Sequence, residues 1–186
     1  MYHFADDTNL LNISNSIKRT QKQVNLDLKS LYKWLLANKI SLNCSKTEVI
    51  ILLRAGQKIN FNLKLKLNGH RLYPSESIKY LGVHLDSNLN GLAHRKALAS
   101  KLRWANGLLS KIRHYVPKNE LISIYHALFS SHLRYGSQIW GQELNGQTDI
   151  ISKLQKRALR IINFKAFNAD SDPLFKNDKV KKLLTK

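Results

Sequence analysis

The sequence predicts an α+β protein in which a strand-containing part is followed by an all-helical part. Segments that alternate apolar and polar residues, as strands do, occur only before residue 88. After residue 88, apolar residues recur at the spacing of amphipathic helices. Hydrophobic residues fill 43% of the 186 positions, which favours a folded core over a disordered chain.

The first elements are predicted to be a hairpin and a long helix. Residues 2–11 read as a strand, a tight acidic turn and a returning strand. Ser14 or Ser16 is the candidate cap of the following helix, which we expect to end near Asn38. One face of that helix is formed by residues at steps of four and three, namely Ile17, Gln21, Val24, Leu28, Leu31 and Leu35.

Antiparallel strands are expected next. Residues 47–53 predict a buried strand, and residues 61–67 alternate apolar and polar side chains as a half-buried strand does. Asn68-Gly69 is a strong signal for a hairpin turn. A further β run is expected over 78–85, where Gly82 would mark a bulge or a close backbone approach.

Three amphipathic helices are predicted in the second part of the chain. The first has its apolar face between Leu98 and Ile112, the second begins at Pro117, and the third runs from Ile150 to Ile161. The chain after Phe164 is polar and basic and is expected to be poorly ordered. The predicted divisions are therefore residues 1–87, 88–165 and a basic tail, 166–186.

The charge composition predicts a polyanionic partner. The chain has 31 Lys and Arg against 12 Asp and Glu, a formal net charge of +19. In the third helix of the second part, cations at i, i+3, i+4 and i+7 share one face: Lys153, Lys156, Arg157 and Arg160. Such pairs repel by about 0.2–0.5 kcal/mol each, and a polyanion would relieve this repulsion. The alternative is a solvated face, in which acids would more often be interspersed.

The first helix of the same part is similarly basic. Its candidate contacts to a nucleic acid are Arg95, Lys96, Lys101 and Arg103.

Several other classes of protein are not supported. Cys44 is the single cysteine, so no disulfide can form within the chain and no cysteine-based zinc site is expected. The seven histidines show no metal-binding spacing and are not expected to cluster. No signal peptide and no apolar run of roughly 18 residues is present, so no membrane partner is expected. An intracellular location is predicted, without a distinction between nucleus and cytoplasm.

Two motifs in the first part suggest chemistry on phosphates. Asp6 and Asp7 are paired carboxylates in a turn, which suits binding of divalent metal ions. Lys46 could protonate a leaving group held near phosphates. The structural alternatives are an acidic turn that bonds its own backbone and an exposed lysine.

Read in order, these segments resemble the non-LTR (LINE/jockey-like) retrotransposon reverse transcriptases. Residues 4–8, Phe-Ala-Asp-Asp-Thr, resemble the Tyr/Phe-x-Asp-Asp motif of the polymerase palm, and residues 38–48 resemble the palm segment that follows it. Residues 78–83 resemble the primer-grip hairpin, and 116–162 resemble the thumb. The resemblance makes 1–87 a partial palm and 88–165 a helical, thumb-like bundle.

The resemblance implies RNA-directed DNA polymerase activity with two Mg²⁺ ions. Asp6 and Asp7 would then be catalytic, metal-binding residues, and Lys46 would be the general acid for pyrophosphate departure. Leu81 and Gly82 would support the primer end. The basic helices would hold the RNA template–DNA primer duplex by its phosphates.

The sequence also departs from the family pattern. The fingers and the earlier palm strand with a further catalytic Asp do not precede Phe4. We therefore expect the chain to bind nucleic acid without polymerising alone, unless the N-terminal half is supplied in trans. The alternatives are a non-catalytic, basic helical nucleic-acid-binding module and a bundle with a purely structural or protein-interaction role.

Overall fold

The computed structural model describes residues 2–4, 7–53, 63–140 and 148–181. The architecture is α+β, as predicted. The chain divides into two compact units, Met1–Ile78 and Lys79–Lys186. No helix among these described residues is both long enough and apolar enough to cross a membrane.

The N-terminal unit combines one long helix with short strands. Its described elements are β1 (Tyr2–Phe4), β2 (Asp7–Asn9), α1 (Ile17–Ala37), a 3₁₀ turn (Cys44–Lys46), β3 (Val49–Ile50), β4 (Leu65–Leu67), β5 (His70–Leu72) and β6 (Pro74–Ser75). β1 and β2 pair antiparallel with Phe4 opposite Asp7, which confirms the predicted N-terminal hairpin. The predicted end of the first helix is also confirmed, since Asn38 is the C-cap of α1.

The core of this unit lies between α1 and the β4–β5 hairpin. Leu63, Leu65 and Leu67 are buried while the residues between them are exposed, which confirms the predicted period of two; Phe61 lies outside the described residues. Leu28 of α1 packs on this apolar face.

Polar side chains of α1 complete the edge of β4. The backbone N–H of Lys64 donates to Gln21 Oε1 at 2.9 Å, and that of Lys66 donates to Asn25 Oδ1 at 2.9 Å. Asn25 Nδ2 in turn donates to the Lys64 carbonyl at 3.0 Å. Among the described residues, these two side-chain amides are the partners of this edge of β4, which explains why Gln21 interrupts the apolar stripe of α1.

One pair of short strands, β4–β5, forms the predicted hairpin, whereas the pairing of β3 differs from the prediction. β4 and β5 are antiparallel around Asn68-Gly69, both with positive φ (49° and 79°), which confirms the predicted hairpin turn. The strand expected over 47–53 is reduced to β3, which pairs parallel, not antiparallel, with β6.

A third hairpin occupies the β run predicted over 78–85, where the resemblance implies a hairpin over 78–83. β7 (Ser77–Tyr80) and β8 (Val83–Asp86) are joined by Leu81-Gly82, both with positive φ (44° and 81°). Gly82 is therefore a turn residue and not a strand bulge. The division between the compact units falls within β7, so most of this hairpin belongs to the helical unit, whereas the sequence division at residue 88 left it in the first part.

The second unit is built mainly of helices. Its described helices are α2 (Leu92–Ile112), α3 (Lys118–Tyr125), a π-helical segment (His126–Ser130), α4 (Ser131–Arg134), α5 (Ser137–Trp140), α6 (Thr148–Ile162) and α7 (Asp172–Asn177). α2 and α6 pack through fully buried side chains such as Leu102, Leu109 and Ile162. Asn106 Nδ2 donates to the Leu154 carbonyl at 3.0 Å, which joins the two helices by a buried hydrogen bond.

The segment after Phe164 packs on the helical unit, so the prediction of a poorly ordered tail is wrong for its described part. Leu174 and Phe175 of α7 and Val180 beyond it are buried in the same core. Asp178 forms an ion pair with Lys118 (2.7 Å) and accepts a hydrogen bond from Asn163 (2.5 Å). The sequence signal was hidden because few apolar residues are spread among many polar ones.

Candidate nucleic-acid interface

The basic stripe of α6 lies opposite its buried face. Lys153 and Arg157 are exposed, and Lys156 and Arg160 are half-buried. The core-facing residues of α6 are Ile151, Leu154, Ala158, Leu159 and Ile162. After residue 149, α6 carries no acidic residue. The helix therefore presents adjacent cations on the side opposite its core, and from residue 150 onward its own sequence places no acid among them.

α2 presents exposed cations from its first and middle turns. Lys96, Lys101 and Arg103 are exposed, while Leu98 and Leu102 point into the core. No Asp or Glu occurs anywhere in α2. The helix is therefore basic without internal charge compensation.

Arg95 departs from the prediction that it contacts nucleic acid. Its side chain is 7% exposed, and its Nη1 donates to the Trp140 carbonyl at 3.3 Å. A guanidinium in this position ties the start of α2 to the end of α5. Because α2 rotates by about 100° per residue, Arg95 lies on the buried side while Lys96 faces outward.

Two of the α6 cations also contact the segment that follows the helix. Arg160 Nε donates to the Ala169 carbonyl at 2.7 Å, so part of its role is structural. The Arg157 guanidinium lies 5.9 Å from the centre of the Phe167 ring, a side chain that is 77% exposed. By exposure, Lys153 and Arg157 are the members of the stripe that offer most surface to a large anion, since Lys156 and Arg160 are half-buried.

The predicted primer-end residues occupy the tip of the β7–β8 hairpin. Gly82 is exposed and Leu81 is half-buried. The Tyr135 hydroxyl donates to the Leu81 carbonyl, and a Cβ on Gly82 would lie 3.2 Å from Tyr135 Cε1. Glycine is thus required by the turn and by the tyrosine ring beside it.

The expectation that the histidines do not cluster is wrong for three of them, which lie around one cavity beside this hairpin. His84, His94 and His132 line a cavity of about 80 Å³ together with Lys79, Lys101 and Tyr135. These residues come from β7–β8, from α2 and from the end of the α3–α4 run. No periodic signal along the chain connects three separate elements, which is why the sequence interpretation missed the cluster.

Hydrogen bonding fixes the tautomer of His94. The backbone N–H of His84 donates to His94 Nδ1 at 3.3 Å, so the neutral ring carries its proton on Nε2. His94 is 7% exposed, and its Nε2 has no hydrogen-bond partner among the described residues. Burial lowers the pKa of His94 below its usual 6.5, and the neighbouring His84 and Lys101 lower it further. Burial and Lys101 also lower the pKa of His132.

The residues predicted to carry catalysis are only partly described. Asp6 lies outside the described residues; Asp7 is exposed on β2, and Lys46 is exposed in the 3₁₀ turn. Within the described ranges, no group of three or more His, Cys, Asp or Glu side chains could hold a metal ion. The described side chains therefore do not supply a ligand set for Mg²⁺.

Comparison with known proteins gives two relatives. The chain is 29% identical, over 84% of its length and 44% of the relative's, to a retrovirus-related Pol polyprotein from the type-1 retrotransposable element R1 4 of Nasonia vitripennis. It is 26% identical, over 86% of its length and 18% of the relative's, to the RNA-directed DNA polymerase from the mobile element jockey of Drosophila melanogaster. The chain thus spans less than half the length of either curated relative.

Other comparisons return nothing further: no family model and no solved structure matches the chain. The two relatives confirm the resemblance that the motifs predicted. Over most of its length, the chain is similar to proteins of non-LTR retrotransposons that include an RNA-directed DNA polymerase.

Proposed function

We propose that this chain is a reverse-transcriptase-like segment whose helical unit binds a template–primer duplex through its phosphates. The observation that carries the proposal is the cationic stripe of α6, with Lys153 and Arg157 exposed opposite the apolar core. Lys96, Lys101 and Arg103 of α2 add exposed charge to the same unit. Cations of this kind bind the phosphate backbone without reading base sequence.

The relatives support the choice of nucleic acid over other polyanions. One is named as an RNA-directed DNA polymerase, and both come from retrotransposable elements. The net charge of +19 favours any polyanion, but it does not by itself select one. The resemblance and the charge pattern together favour an RNA template–DNA primer duplex.

Salt dependence of binding tests the stripe directly. We expect the double variant Lys153→Ala, Arg157→Ala to bind a primed RNA–DNA duplex with a shallower dependence of log K on log salt. Loss of two phosphate contacts would reduce the slope by about 1.8, at about 0.9 per phosphate. Fluorescence anisotropy at several salt concentrations measures this slope. Arg160 is left intact because it also donates to the Ala169 carbonyl.

A matched control separates the stripe from overall charge. Lys22 and Lys29 are exposed on α1 of the other unit, and replacing both by Ala removes the same two charges. We expect this control to keep the parental slope. If both double variants reduced the slope equally, binding would depend only on net charge. An unchanged slope in the α6 variant would exclude the stripe as the contact.

The second candidate is a nucleic-acid-binding module without catalysis, for which the exposed cations of α6 and α2 suffice. Primer extension on a primed RNA template with Mg²⁺ distinguishes the two functions. Extension that is lost in Asp7→Asn would assign polymerase activity to the chain. Binding without extension would favour the module.

A further inference from the structure

The cavity beside the β7–β8 hairpin has the chemistry of an anion site. Lys79 and His84 reach it from the hairpin, His94 and Lys101 from α2, and His132 from α4. Gly82, Ala97, Leu98 and Tyr135 complete the lining, and none of these residues is acidic. Its volume of about 80 Å³ admits a group of a few heavy atoms.

His94 provides a buried donor that lacks an acceptor. Its Nδ1 accepts the His84 backbone N–H, so Nε2 carries a hydrogen, and this nitrogen has no partner among the described residues. A buried polar group without a hydrogen-bond partner is destabilising. An oxygen atom of a bound group would supply the missing acceptor.

Charge around the cavity selects the class of ligand. Lys79 and Lys101 are exposed, and their long side chains can extend an ammonium group toward a ligand in the cavity. Burial lowers the pKa of His94 and of His132, which favours their neutral rings, and the neutral ring of His94 still offers its Nε2–H as a donor. The cavity disfavours cations and favours a small anion with several acceptor oxygens.

We propose that this cavity binds a phosphate group, held by His94 Nε2–H and by the ammonium groups of Lys79 and Lys101. His84, His132 and Tyr135 line the same cavity. The phosphate is either a free ion or part of a nucleic-acid strand, and only the second source rests on the function proposed above.

Titration with inorganic phosphate tests the site in the intact chain. We expect saturable shifts of the His94 ring Nε2–H and of the Gly82 and His84 amides in ¹H–¹⁵N NMR spectra, at constant ionic strength adjusted with chloride. Lys101→Met should weaken this binding about tenfold, the loss of one charge-assisted hydrogen bond. Lys111→Met is the matched control, since it removes an exposed lysine of the same helix that does not line the cavity.

A second variant and a second ligand complete the test. His94→Phe keeps a ring beside Trp140 and removes the Nε2–H donor, so it should weaken phosphate binding. If His94→Phe does not fold, Lys101→Met still tests the site, because Lys101 is exposed. Cavity shifts with both ligands support a general phosphate site, and shifts only with a primed duplex assign the phosphate to a strand. If neither ligand shifts the signals of the cavity residues, the proposal is overturned, even where salt-dependent duplex binding persists through α6. Equal weakening by Lys101→Met and Lys111→Met also overturns it.

Discussion

At the residue scale, two basic side chains of α2, His94 and Arg95, are buried and have structural contacts instead of lying on the surface. Arg95 spans from α2 to the Trp140 carbonyl, and His94 packs its ring 5.6 Å from that of Trp140. Burying a charge requires a partner, and a histidine can instead become neutral. Arg95 has a carbonyl acceptor, whereas His94 has a lowered pKa.

The lowered pKa of His94 predicts a loss of stability in mild acid. Burial, with His84 and Lys101, lowers the folded-state pKa below the unfolded value of 6.5. As pH falls below 6.5, the unfolded chain binds a proton that the folded chain does not, so the free energy of unfolding decreases until the folded pKa is reached. Urea unfolding followed by circular dichroism at pH 7.5, 6.0 and 5.0 measures this decrease, in buffers without phosphate.

The variant His94→Gln isolates the contribution of this ring. We expect its free energy of unfolding to fall less steeply over the same pH range. Some dependence remains, because the pKa of His132 is lowered as well. A pH dependence identical to that of the parent chain would contradict the assignment to His94.

At the element scale, the glycine that caps α2 and the glycine inside it have opposite roles. Gly91 precedes the helix with φ of 69°, and a Cβ there would lie 3.1 Å from the Trp140 backbone. Gly107 lies in the helix interior, and a Cβ there would meet nothing within 4 Å. The first glycine is required by its conformation and its neighbour, whereas the second only lowers helix stability.

Alanine substitutions at these positions should therefore shift stability in opposite directions. Gly91→Ala is expected to destabilise by about 1–3 kcal/mol, through an unfavourable φ and a backbone contact that cannot yield. Gly107→Ala is expected to stabilise by roughly 0.5–1 kcal/mol. Thermal unfolding of both variants beside the parent chain provides the measurement. A stabilising Gly91→Ala would show that the start of α2 adjusts freely.

The hairpins show how local signals differ in strength at this scale. Asn68-Gly69 predicts its turn because both residues tolerate positive φ. Leu81-Gly82 forms a similar turn, but a leucine at positive φ is unusual and gives no such signal. The Tyr135 hydroxyl, which bonds the Leu81 carbonyl, supplies a stabilising contact from far along the chain.

At the scale of the whole molecule, charge governs the expected partner. The net charge of +19 and the absence of acids from α2 favour contacts to phosphates, which carry no sequence information. The exposed cations that we place at the interface belong to helices and not to a base-reading loop. Binding should therefore depend on duplex shape and salt.

Sequence-independent affinity is the corresponding prediction. Two primed RNA–DNA duplexes of equal length and shuffled sequence should bind with dissociation constants within about threefold at the same salt concentration. A protein that reads bases loses about 1–3 kcal/mol for each mismatched pair. Competition between the two duplexes measures the ratio, and a preference of tenfold or more would mean that base edges are read.

Much of the fold and of the basic stripe follows from the sequence, because both depend on short-range periodicity. Residues three and four apart share a helix face, so Lys153, Arg157 and the apolar side of α6 could be assigned directly. The same reasoning gave α1 and the alternating strand at Leu63–Leu67. The relatives bear out the ancestry that the ordered motifs suggested.

Tertiary packing decided which basic residues are buried and which histidines lie together. Only packing of α2 against its neighbours buries Arg95, and only the meeting of a hairpin with two helical segments brings together His84, His94 and His132. The few apolar residues near Phe175 are buried because they pack on the apolar core of the helical unit. The sequence by itself determined the elements and the charged faces, since these depend on near neighbours. Only the tertiary structure decided which polar side chains are buried and which of them contact one another, since both depend on residues far apart in the chain.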